Sequence, residues 1–505
     1  MNKGSTRASG ATRTEITYLS AHQAKASTPA TGAARTESTY LSADQRRAKG
    51  KALRDAVPRV SQAGWKAPKG RRDPVAVVSE SNVGRVTELV PIRFGRMSES
   101  PFAFYRGSAA LMAADLAKTP TSGIRVQACG DAHLMNFGGF ATPERNVVFD
   151  VNDLDETLPA PFEWDLKRLS ASVVIAAQHL KLPNSDAARV ATSVVREYRE
   201  RMANYAAMRA LDVWYDKIDM QEYHDHAADP AVLKVIRKQF SERIAEAERK
   251  TEPDFLYPKF VSEEGSEPRI KDEPPLIFHP SAKMAPGLRT EYAAPLAAYR
   301  ESLPEHTRIL FDRFSYCDFA FKVVGVGSVG TTCGVFLFMA AHDDPLFLQV
   351  KEARASVLEP YAGKSRHANH GQRVVEGQHI MQAASDVFLG WTVGKNGRHF
   401  YLRQLRDMKI SMVIEDWDTG LLRQYSRMCA HALARAHARS GDAAMLSGYM
   451  GSGQTFDDAI GEFAVEYADQ NQSDYRAFVQ AIKEERIKAV DDEEAVTLET
   501  APDKG

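Results

Sequence analysis

Residues 130–156 read GDAHLMNFGGFATPERNVVFDVNDLDE, and we interpret the rest of the chain outward from this stretch. It follows residues 124–129, which alternate like a strand that ends at Gly130. Asp131 is followed five residues later by Asn136, with His133 between them. A second strand-like run, residues 146–149, leads into four acids: Asp150, Asp153, Asp155 and Glu156.

One acid beside an amide, with further acids at the end of a neighbouring strand, is typical of magnesium-assisted phosphoryl transfer. In that chemistry a carboxylate orients the attacking hydroxyl, an amide oxygen binds one metal ion, and a further carboxylate bridges the metal and the phosphates. The stretch therefore predicts a catalytic site for phosphoryl transfer.

Composition limits the classes of protein that the chain can be. At 505 residues it can bury a large core, and its formal charge of -1 gives no argument for nucleic acid or an anionic membrane surface. We find no apolar run long enough to span a membrane and no apolar signal-peptide core. The four cysteines form no metal-ligand or disulfide pattern, so we expect a cytoplasmic protein.

The organisation of the chain is predicted from changes in composition. Residues 1–50 are rich in Ala, Ser and Thr and carry a short duplication, RTE followed by TYLSA, so we expect a disordered tail. The other predicted parts are a helical lobe with the catalytic loop at residues 51–300, including a Pro-rich and charged loop at residues 252–295; a β-rich nucleotide lobe at residues 301–410; C-terminal helices at residues 411–490; and a frayed acidic tail at residues 491–505.

Several helices are predicted from periodicity and Pro positions. Ser100 and Pro101 indicate a helix start, and the helix carries apolar residues as far as Leu116. Pro161 starts another helix, with charged residues in its first turns. Further helices are predicted at residues 185–210, 371–384, 420–439 and 456–487.

The second half of the chain contains a run of strand, glycine turn, strand, turn and strand. The turn carries Gly325, Gly327, Ser328 and Gly330, and the third strand ends at Lys351. Because the turn lies between strands and not before a helix, it fits the phosphate-covering hairpin of kinases better than a dinucleotide-binding turn. Lys351 could then reach the α- and β-phosphates of ATP. Glu376, on the following helix, is our candidate partner for this lysine, and Glu352 and Glu359 are its rivals.

Each of these features also has an ordinary interpretation. Lys351 could be a solvent-facing strand lysine, and the acids after Phe149 could form a solvated turn or a calcium-type loop. We favour a structural role for His133, as a histidine that hydrogen-bonds the catalytic loop, over a role as metal ligand. Arg93, Arg96 and Arg106 could reach phosphates, but ion pairs explain them equally well.

Two other interpretations concern the catalytic motif itself. The run GDAH at residues 130–133 also fits the opening motif of two-metal phosphoesterases, but no later Gly-Asn-His motif follows. The segment AHARSGD at residues 436–442 could be a rival catalytic loop that ends at Asp442, but Ser447 stands where an amide is needed. We interpret it as the end of a helix capped by Gly441.

The residues around Gly130, the segment EWDLKRL at residues 163–169 and the glycine turn resemble domain-of-unknown-function family 2252, an uncharacterised bacterial family. The resemblance covers roughly residues 48–470, and that family is placed near protein kinases and aminoglycoside or choline phosphotransferases. It implies that Asp131 is the catalytic base, that Asn136 is a metal ligand, and that Asp150 or Asp153 is the second metal ligand.

The resemblance implies an α+β, protein kinase-like fold with two lobes. Here the glycine turn follows the catalytic loop by about two hundred residues, the reverse of the kinase order, so we expect a circular permutation. The predicted function is ATP- and magnesium-dependent phosphoryl transfer to an unidentified hydroxyl on a small molecule or a protein. The alternatives are a nucleotidyltransferase, a metal-dependent phosphoesterase and a catalytically silent nucleotide-binding or scaffold protein.

Overall fold

The computed structural model describes residues 41–220, 261–262, 268–274, 277–279, 292–322, 329–341, 344–405, 414–415 and 417–490. Four predicted features lie wholly or mainly outside these residues: the N-terminal duplication, the Pro-rich loop, the acidic tail, and Gly325, Gly327 and Ser328 of the glycine turn. Among the described helices, none is long and apolar enough to cross a membrane.

Helices make up most of the described chain. They are α1 (Ala43–Ala56), α2 (Pro74–Glu80), α3 (Val90–Ser98), α4 (Pro101–Gly107), α5 (Ala109–Leu116), α6 (Phe162–His179), α7 (Asn184–Tyr205), α8 (Ala210–Tyr215), α9 (Ala293–Ser302), α10 (Glu305–Phe311), α11 (Glu359–Ala362), α12 (His370–Met381), α13 (Thr419–Ser440), α14 (Ala443–Met450) and α15 (Thr455–Lys483).

The described strands all pair antiparallel. They are β1 (Arg125–Ala128), β2 (Phe137–Ala141), β3 (Val147–Val151), β4 (Leu158–Pro161), β5 (Val261–Ser262), β6 (Arg269–Ile270), β7 (Ile277–Phe278), β8 (Ser315–Lys322), β9 (Cys333–Met339), β10 (Pro345–Ala353), β11 (Gly390–Val393) and β12 (His399–Gln404). A six-stranded sheet has the order β11-β12-β10-β9-β8-β7, and β1 with β4, β2 with β3 and β5 with β6 form two-stranded sheets. The predicted α+β class is confirmed, as is the run of three strands that ends near Lys351.

Helix α6 lies at the centre of the helical core. All its residues from Phe162 to Ala177 are buried, so its polar residues are enclosed along with its apolar ones. A helix that is buried on every side must come from the middle of a large core and not from its surface. Helices α7, α13 and α15 pack around it. The charged side chains of α6 therefore need partners inside the protein.

The six-stranded sheet places Lys351 on a defined face. In β10, Leu346, Leu348 and Val350 pack into one hydrophobic cluster with α9, whereas Phe347 packs into a different cluster. Because strand residues alternate between faces, Lys351 lies on the side of Phe347. It is paired in register with Cys333 of β9 and with Tyr401 of β12.

Helices α1 and α14 cross with their backbones in contact. A Cβ atom on Gly50 would lie 2.0 Å from the carbonyl oxygen of Met445, and one on Gly448 would lie 2.1 Å from that of Arg47. The Arg54 Nε donates to the Tyr449 carbonyl at 2.9 Å. Glycine is therefore required on both sides of this crossing, and an arginine of the first helix satisfies a carbonyl at the end of the second.

The prediction of disorder is wrong for residues 43–50, because α1 already begins at Ala43. Its N-cap is Ser42, whose hydroxyl accepts from the Gln45 N–H, while the Gln45 side chain accepts from the Ser42 N–H at 2.8 Å. This reciprocal capping box is visible in the sequence as Ser-x-x-Gln and could have marked the helix start.

Other predicted boundaries also shift. The helix predicted from Pro101 ends at Gly107, and α5 begins after Ser108. A Cβ on Gly107 would lie 2.7 Å from the Met97 side chain, so α3 packs closely against this helix end. The lobe boundary predicted at residue 300 falls inside α9, which packs on the sheet. The described residues from Ser42 onward form one compact unit, in which the helices and the sheet have distinct cores.

Candidate active site

The loop that carries Asp131 is anchored by a buried carboxylate on α6. The N–H groups of Cys129 and Gly130 donate to the two oxygens of Asp165, at 2.6 and 2.9 Å. The His437 Nε2 lies 3.1 Å from the same carboxylate, and its Nδ1 lies 2.8 Å from the Tyr198 hydroxyl. Two backbone bonds to one buried carboxylate fix the start of the loop and thereby the position of Asp131.

Gly130 is required by its backbone conformation and by its surroundings. Its φ is +82°, and a Cβ would lie 2.4 Å from the Glu156 carbonyl oxygen. Gly123 has the same φ of +82°, but a Cβ on it would have no neighbouring atom within 4 Å. Replacement by alanine therefore has the same conformational cost at both glycines, and the two positions differ only in packing.

We expect Gly130→Ala to destabilise the fold more than Gly123→Ala. The left-handed conformation alone costs an alanine about 1–2 kcal/mol, and overpacking against Glu156 adds about 1–3 kcal/mol at Gly130 only. Urea unfolding followed by circular dichroism measures both. Equal losses in the two variants would show that the Glu156 carbonyl moves away freely and that the loop is not held there.

Asp131 is ion-paired on one side and reaches a cavity on the other. The Arg168 Nε donates to its Oδ1 at 2.6 Å, and the Arg168 guanidinium lies over the Tyr105 ring at 4.5 Å. The Asp131 side chain keeps 19% of its exposure. Burial raises the pKa of Asp131, and Arg168 opposes this shift. A carboxylate with a raised pKa is a better proton acceptor, provided that it remains ionised.

His133 is buried beside Asp131 and supports the loop. Its Nδ1 accepts from the Met135 N–H at 3.2 Å, so it caps the short turn Leu134–Asn136. Burial lowers the pKa of His133 well below its usual value, with Arg106 contributing, so the ring is neutral. Its Nε2 lies 4.0 Å from the Asp131 Oδ2, beyond hydrogen-bond distance. This geometry fits the structural role that we favoured.

The side chain of Asn136 is held by the backbone of Asp131. The Asn136 Nδ2 donates to the Asp131 backbone carbonyl at 2.7 Å, and the backbone carbonyl of Asn136 accepts from the Asn152 N–H at 2.8 Å. Since the amide nitrogen is engaged, Oδ1 is the atom that it can offer to a ligand.

Asp150 is not placed as a metal ligand, in contrast to the prediction. It is fully buried against Arg435, whose Nη2 donates to both carboxylate oxygens at 2.8 and 2.6 Å. The N–H groups of Val151 and Ala383 also donate to these oxygens, at 2.9 and 2.7 Å. With both oxygens occupied inside the core, only Asp153 of the two acids stays a candidate metal ligand.

Lys351 pairs with aspartates of the acidic stretch, and the predicted pairing with Glu376 is corrected. Its Nζ lies 2.7 Å from the Asp155 Oδ2 and 3.4 Å from the Asp153 Oδ2, and the Tyr401 hydroxyl donates to the other oxygen of Asp155 at 2.7 Å. Glu376 is half-buried on α12 and forms no ion pair with Lys351 among the described residues. Lys351 is therefore not the solvent-facing strand lysine that was the alternative.

The rival acids proposed for Lys351 have other neighbours. Glu352 accepts from the Thr332 N–H at 3.0 Å and lies 3.4 Å from Arg398. Glu359 lies 3.8 Å from the His370 ring. These contacts leave the two aspartates as the carboxylates that face the lysine.

Two carboxylates share the charge of one lysine. Burial would lower the pKa of Lys351, but Asp153 and Asp155 raise it well above its usual value, so the amine stays protonated. Burial, and then Asp153, raise the pKa of Asp155, while Lys351 opposes the shift. Arg403 is a second cation at this site: burial lowers its pKa, but Tyr401, Asp153 and Asp155 raise it above its usual value.

The described end of the glycine turn contacts a basic segment. Gly330 has a φ of +83°, and its carbonyl accepts from the Val86 N–H at 2.7 Å. The Arg85 Nη1 donates to the Val329 carbonyl at 2.6 Å. Residues just before α3 therefore support the end of this turn.

Asp131, Asn136, Asp153 and Asp155 line a cavity of about 310 Å³. Four of its lining acids, Asp131, Asp153, Asp155 and Glu156, are called the acid wall. Four of its lining arginines, Arg85, Arg93, Arg106 and Arg354, are called the arginine wall. Arg72, Glu80 and Glu352 also line the cavity. Carboxylates that suit a divalent cation thus share one cavity with guanidinium groups that suit a phosphate.

A family model described as an uncharacterised protein conserved in bacteria, DUF2252, matches residues 85–481. The chain belongs to this family. The match includes every residue of the acid wall and of the arginine wall, and the other lining residues Arg72, Val77, Glu80 and Ser81 precede the matched region. No curated protein and no solved structure matches the chain.

The DUF2252 domain offers a limited set of metal donors at this cavity. Within the described residues, no group of three or more His, Cys, Asp or Glu side chains could hold a metal ion. Magnesium, however, is usually bound by one or two carboxylates together with substrate phosphates and water. Asn136 Oδ1 and the half-exposed Asp153 are donors of the chemical kind that magnesium takes.

Sequence reasoning missed the residues that hold this site together. Arg373 of α12 donates to the carbonyls of Thr157, Asp155 and Arg354, at 2.7, 2.8 and 2.8 Å, and joins the acidic stretch to β10. Asp165 and Arg168 were noted only as charged residues of a helix start. The available signal was their position in an otherwise apolar helix directly after the acidic stretch.

The rival catalytic loop is a helix boundary, as interpreted from the sequence. Helix α13 ends at Ser440 with Gly441 as its C-cap, and the Asp442 side chain accepts from the N–H groups of Ala444 and Met445 at the start of α14. Asp442 also lies 3.2 Å from Arg46. Its carboxylate is therefore used as an N-cap.

Proposed function

We propose that the protein is an ATP- and magnesium-dependent phosphotransferase that acts on a hydroxyl acceptor. The observation that carries this proposal is that Asp131, Asn136 and Asp153 line one cavity and that Lys351 contacts Asp153. Lys351 and Asp153 are 198 residues apart in the chain, yet their side chains lie 3.4 Å apart. This proximity also supports a kinase-like arrangement with permuted order, which belongs to the proposal.

Each of these four residues has its own role in phosphoryl transfer. The hydroxyl oxygen of the acceptor attacks the γ-phosphorus of ATP, the bond from that phosphorus to the bridging oxygen breaks, and ADP leaves. Asp131 accepts the hydroxyl proton, and Lys351 binds the α- and β-phosphates. Asn136 and Asp153 would hold magnesium, which when bound neutralises phosphate charge. The Arg168 pair orients Asp131, and Asp155 keeps Lys351 charged.

A catalytically silent nucleotide-binding protein is the second candidate. It is favoured by one observation, the ion pair between Asp131 and Arg168, which already occupies one oxygen of the proposed base. The two candidates share the nucleotide site and differ only in turnover.

The nucleotide site is tested by isothermal titration of ATP, with and without magnesium, into wild type and Lys351→Ala. We expect binding that depends on magnesium and that weakens about 10-fold to 100-fold in the variant, because a charged hydrogen bond to phosphate is lost. Lys483→Ala, at an exposed site on α15, is the matched control and should bind ATP like wild type. Circular dichroism establishes that each variant is folded.

The result that would overturn the proposal is a wild-type protein that binds no ATP in either condition. Binding that is equal in wild type and Lys351→Ala would instead remove Lys351 from the nucleotide site.

A further inference from the structure

Backbone carbonyls and one side-chain amide accept hydrogen bonds from the arginine wall. The Arg93 Nη1 donates to the Asn82 Oδ1 at 2.8 Å, and its Nη2 donates to the Gly107 carbonyl at 2.6 Å. The Arg354 Nη1 donates to the Ser81 carbonyl at 3.3 Å. Neutral oxygens hold these guanidinium groups in place without cancelling their charge.

The acid wall is neutralised from outside the cavity, but much of the arginine wall is not. Asp131 pairs with Arg168, and Asp155 pairs with Lys351. In the described part of the chain, Arg93, Arg106 and Arg354 form no ion pair with any carboxylate. The buried Nε atoms of Arg93 and Arg106 also have no hydrogen-bond partner there.

The positive charges of these arginines repel one another, and burial keeps water from screening them. Burial, together with the charge of Arg354, lowers the pKa of Arg85 to about 10. Burial lowers the pKa of Arg93 well below its usual value, with Arg85 and Arg354 adding to the effect. Clustered, desolvated cations of this kind gain free energy when an oxyanion binds among them.

The position of the wall indicates which reactant the anion belongs to. Arg106 and Asp131 both line the cavity. Burial lowers the pKa of Arg106 and Asp131 opposes this shift, whereas Arg106 affects the pKa of Asp131 less than burial, Arg168 and Asp153 do. In the proposed reaction, Asp131 contacts the acceptor hydroxyl. An anion bound at Arg106 therefore lies beside the acceptor, whereas Lys351 and its aspartates lie with the nucleotide and metal.

We propose that the arginine wall binds an anionic group of the acceptor, so that the acceptor is a small hydroxylated compound carrying a phosphate or a carboxylate. This inference rests on the proposed function, because it assigns the second substrate of that site. Phosphate and carboxylate share the planar pairs of oxygens that guanidinium groups bind with two hydrogen bonds. The cavity volume of about 310 Å³ suits a small compound.

The test compares three probes that differ only in charged group: glycerol 3-phosphate, glycerate and glycerol. Each is titrated into the full chain saturated with magnesium and a non-hydrolysable ATP analogue. We expect at least one of the two anions to bind about tenfold or more tightly than glycerol. The preferred anion identifies the charged group of the acceptor.

Arg106→Gln should reduce the affinity for the preferred anion about tenfold or more and leave the affinity for the ATP analogue close to that of wild type. Arg189→Gln removes the same charge at a site with 74% side-chain exposure and is the matched control. Arg354→Gln is a second variant in the wall, which keeps the test usable if Arg106→Gln fails to fold.

The outcomes separate the two proposals. Wild-type protein that binds the analogue but prefers neither anion to glycerol at millimolar concentrations overturns the acceptor assignment and leaves the phosphotransferase intact. A loss of analogue affinity in Arg106→Gln as large as the loss of anion affinity also overturns it, because the wall would then bind nucleotide phosphates. Failure of wild type to bind the analogue overturns the phosphotransferase itself.

Discussion

Arg435→Met is expected to lower the free energy of unfolding by about 3–5 kcal/mol, because it leaves a buried carboxylate without its charge partner. Arg435 and Asp150 both have 0% side-chain exposure. The same Arg435 Nη2 donates to the Met381 carbonyl at 2.6 Å, so the substitution also leaves a carbonyl without its donor. Urea unfolding followed by circular dichroism measures the loss.

Arg427→Met provides the control on the same helix. The Arg427 side chain is 47% exposed and pairs with Glu197, so its removal should cost about 1 kcal/mol or less. The double variant Arg435→Met/Asp150→Leu should recover part of the stability lost in Arg435→Met, since no charge is then left buried. Similar losses in Arg435→Met and Arg427→Met would contradict a closed, water-free pair.

Asp131→Asn is expected to reduce ATP turnover by about 10²-fold to 10⁴-fold, because an amide cannot accept the hydroxyl proton. ATP affinity should stay within about threefold of wild type, a change below 1 kcal/mol. Release of ADP, with an acceptor or with water as the slow substitute, measures turnover, and titration measures binding. Full activity in this variant would remove Asp131 as the base.

The substitution also breaks the ion pair with Arg168, so its effect on stability needs a matched control. Asp115→Asn makes the same change at another buried, ion-paired aspartate, which lies 2.7 Å from Arg71. We expect Asp115→Asn to lose stability and to keep its turnover at temperatures where it is folded. Equal loss of turnover in both variants would assign the effect to folding.

The sequence allowed the elements of the site to be predicted because local patterns determine them. The strands around Lys351 are short, mostly apolar runs that turn residues separate, and Gly130 follows the end of β1 at a left-handed φ. The start of α6 after Pro161 follows from proline chemistry, with Pro161 as its N-cap. These features depend on neighbours in the chain.

The pairings between elements could not be predicted in the same way. Asp150 and Asp153 look alike in sequence, and only the position of Arg435, 285 residues away, shows that Asp150 is enclosed. Glu376 was chosen for Lys351 because it sits on a helix that follows the lysine strand, but the aspartates that contact the lysine precede it by about two hundred residues. Such contacts depend on the tertiary fold, which one sequence does not reveal.

The crossing of α1 and α14 has a consequence for how the protein is made. The contact between Arg54 and Tyr449 joins residues 395 apart, so the first helix leaves the ribosome long before its partner exists. At about 5–20 residues per second, the delay is roughly 20–80 s. During this interval the face of α1 that will contact α14 is exposed to solvent. If the ribosome stalls before residue 443, this face stays exposed. Chaperone binding to nascent chains should therefore persist until Met450, the last residue of α14, has been synthesised.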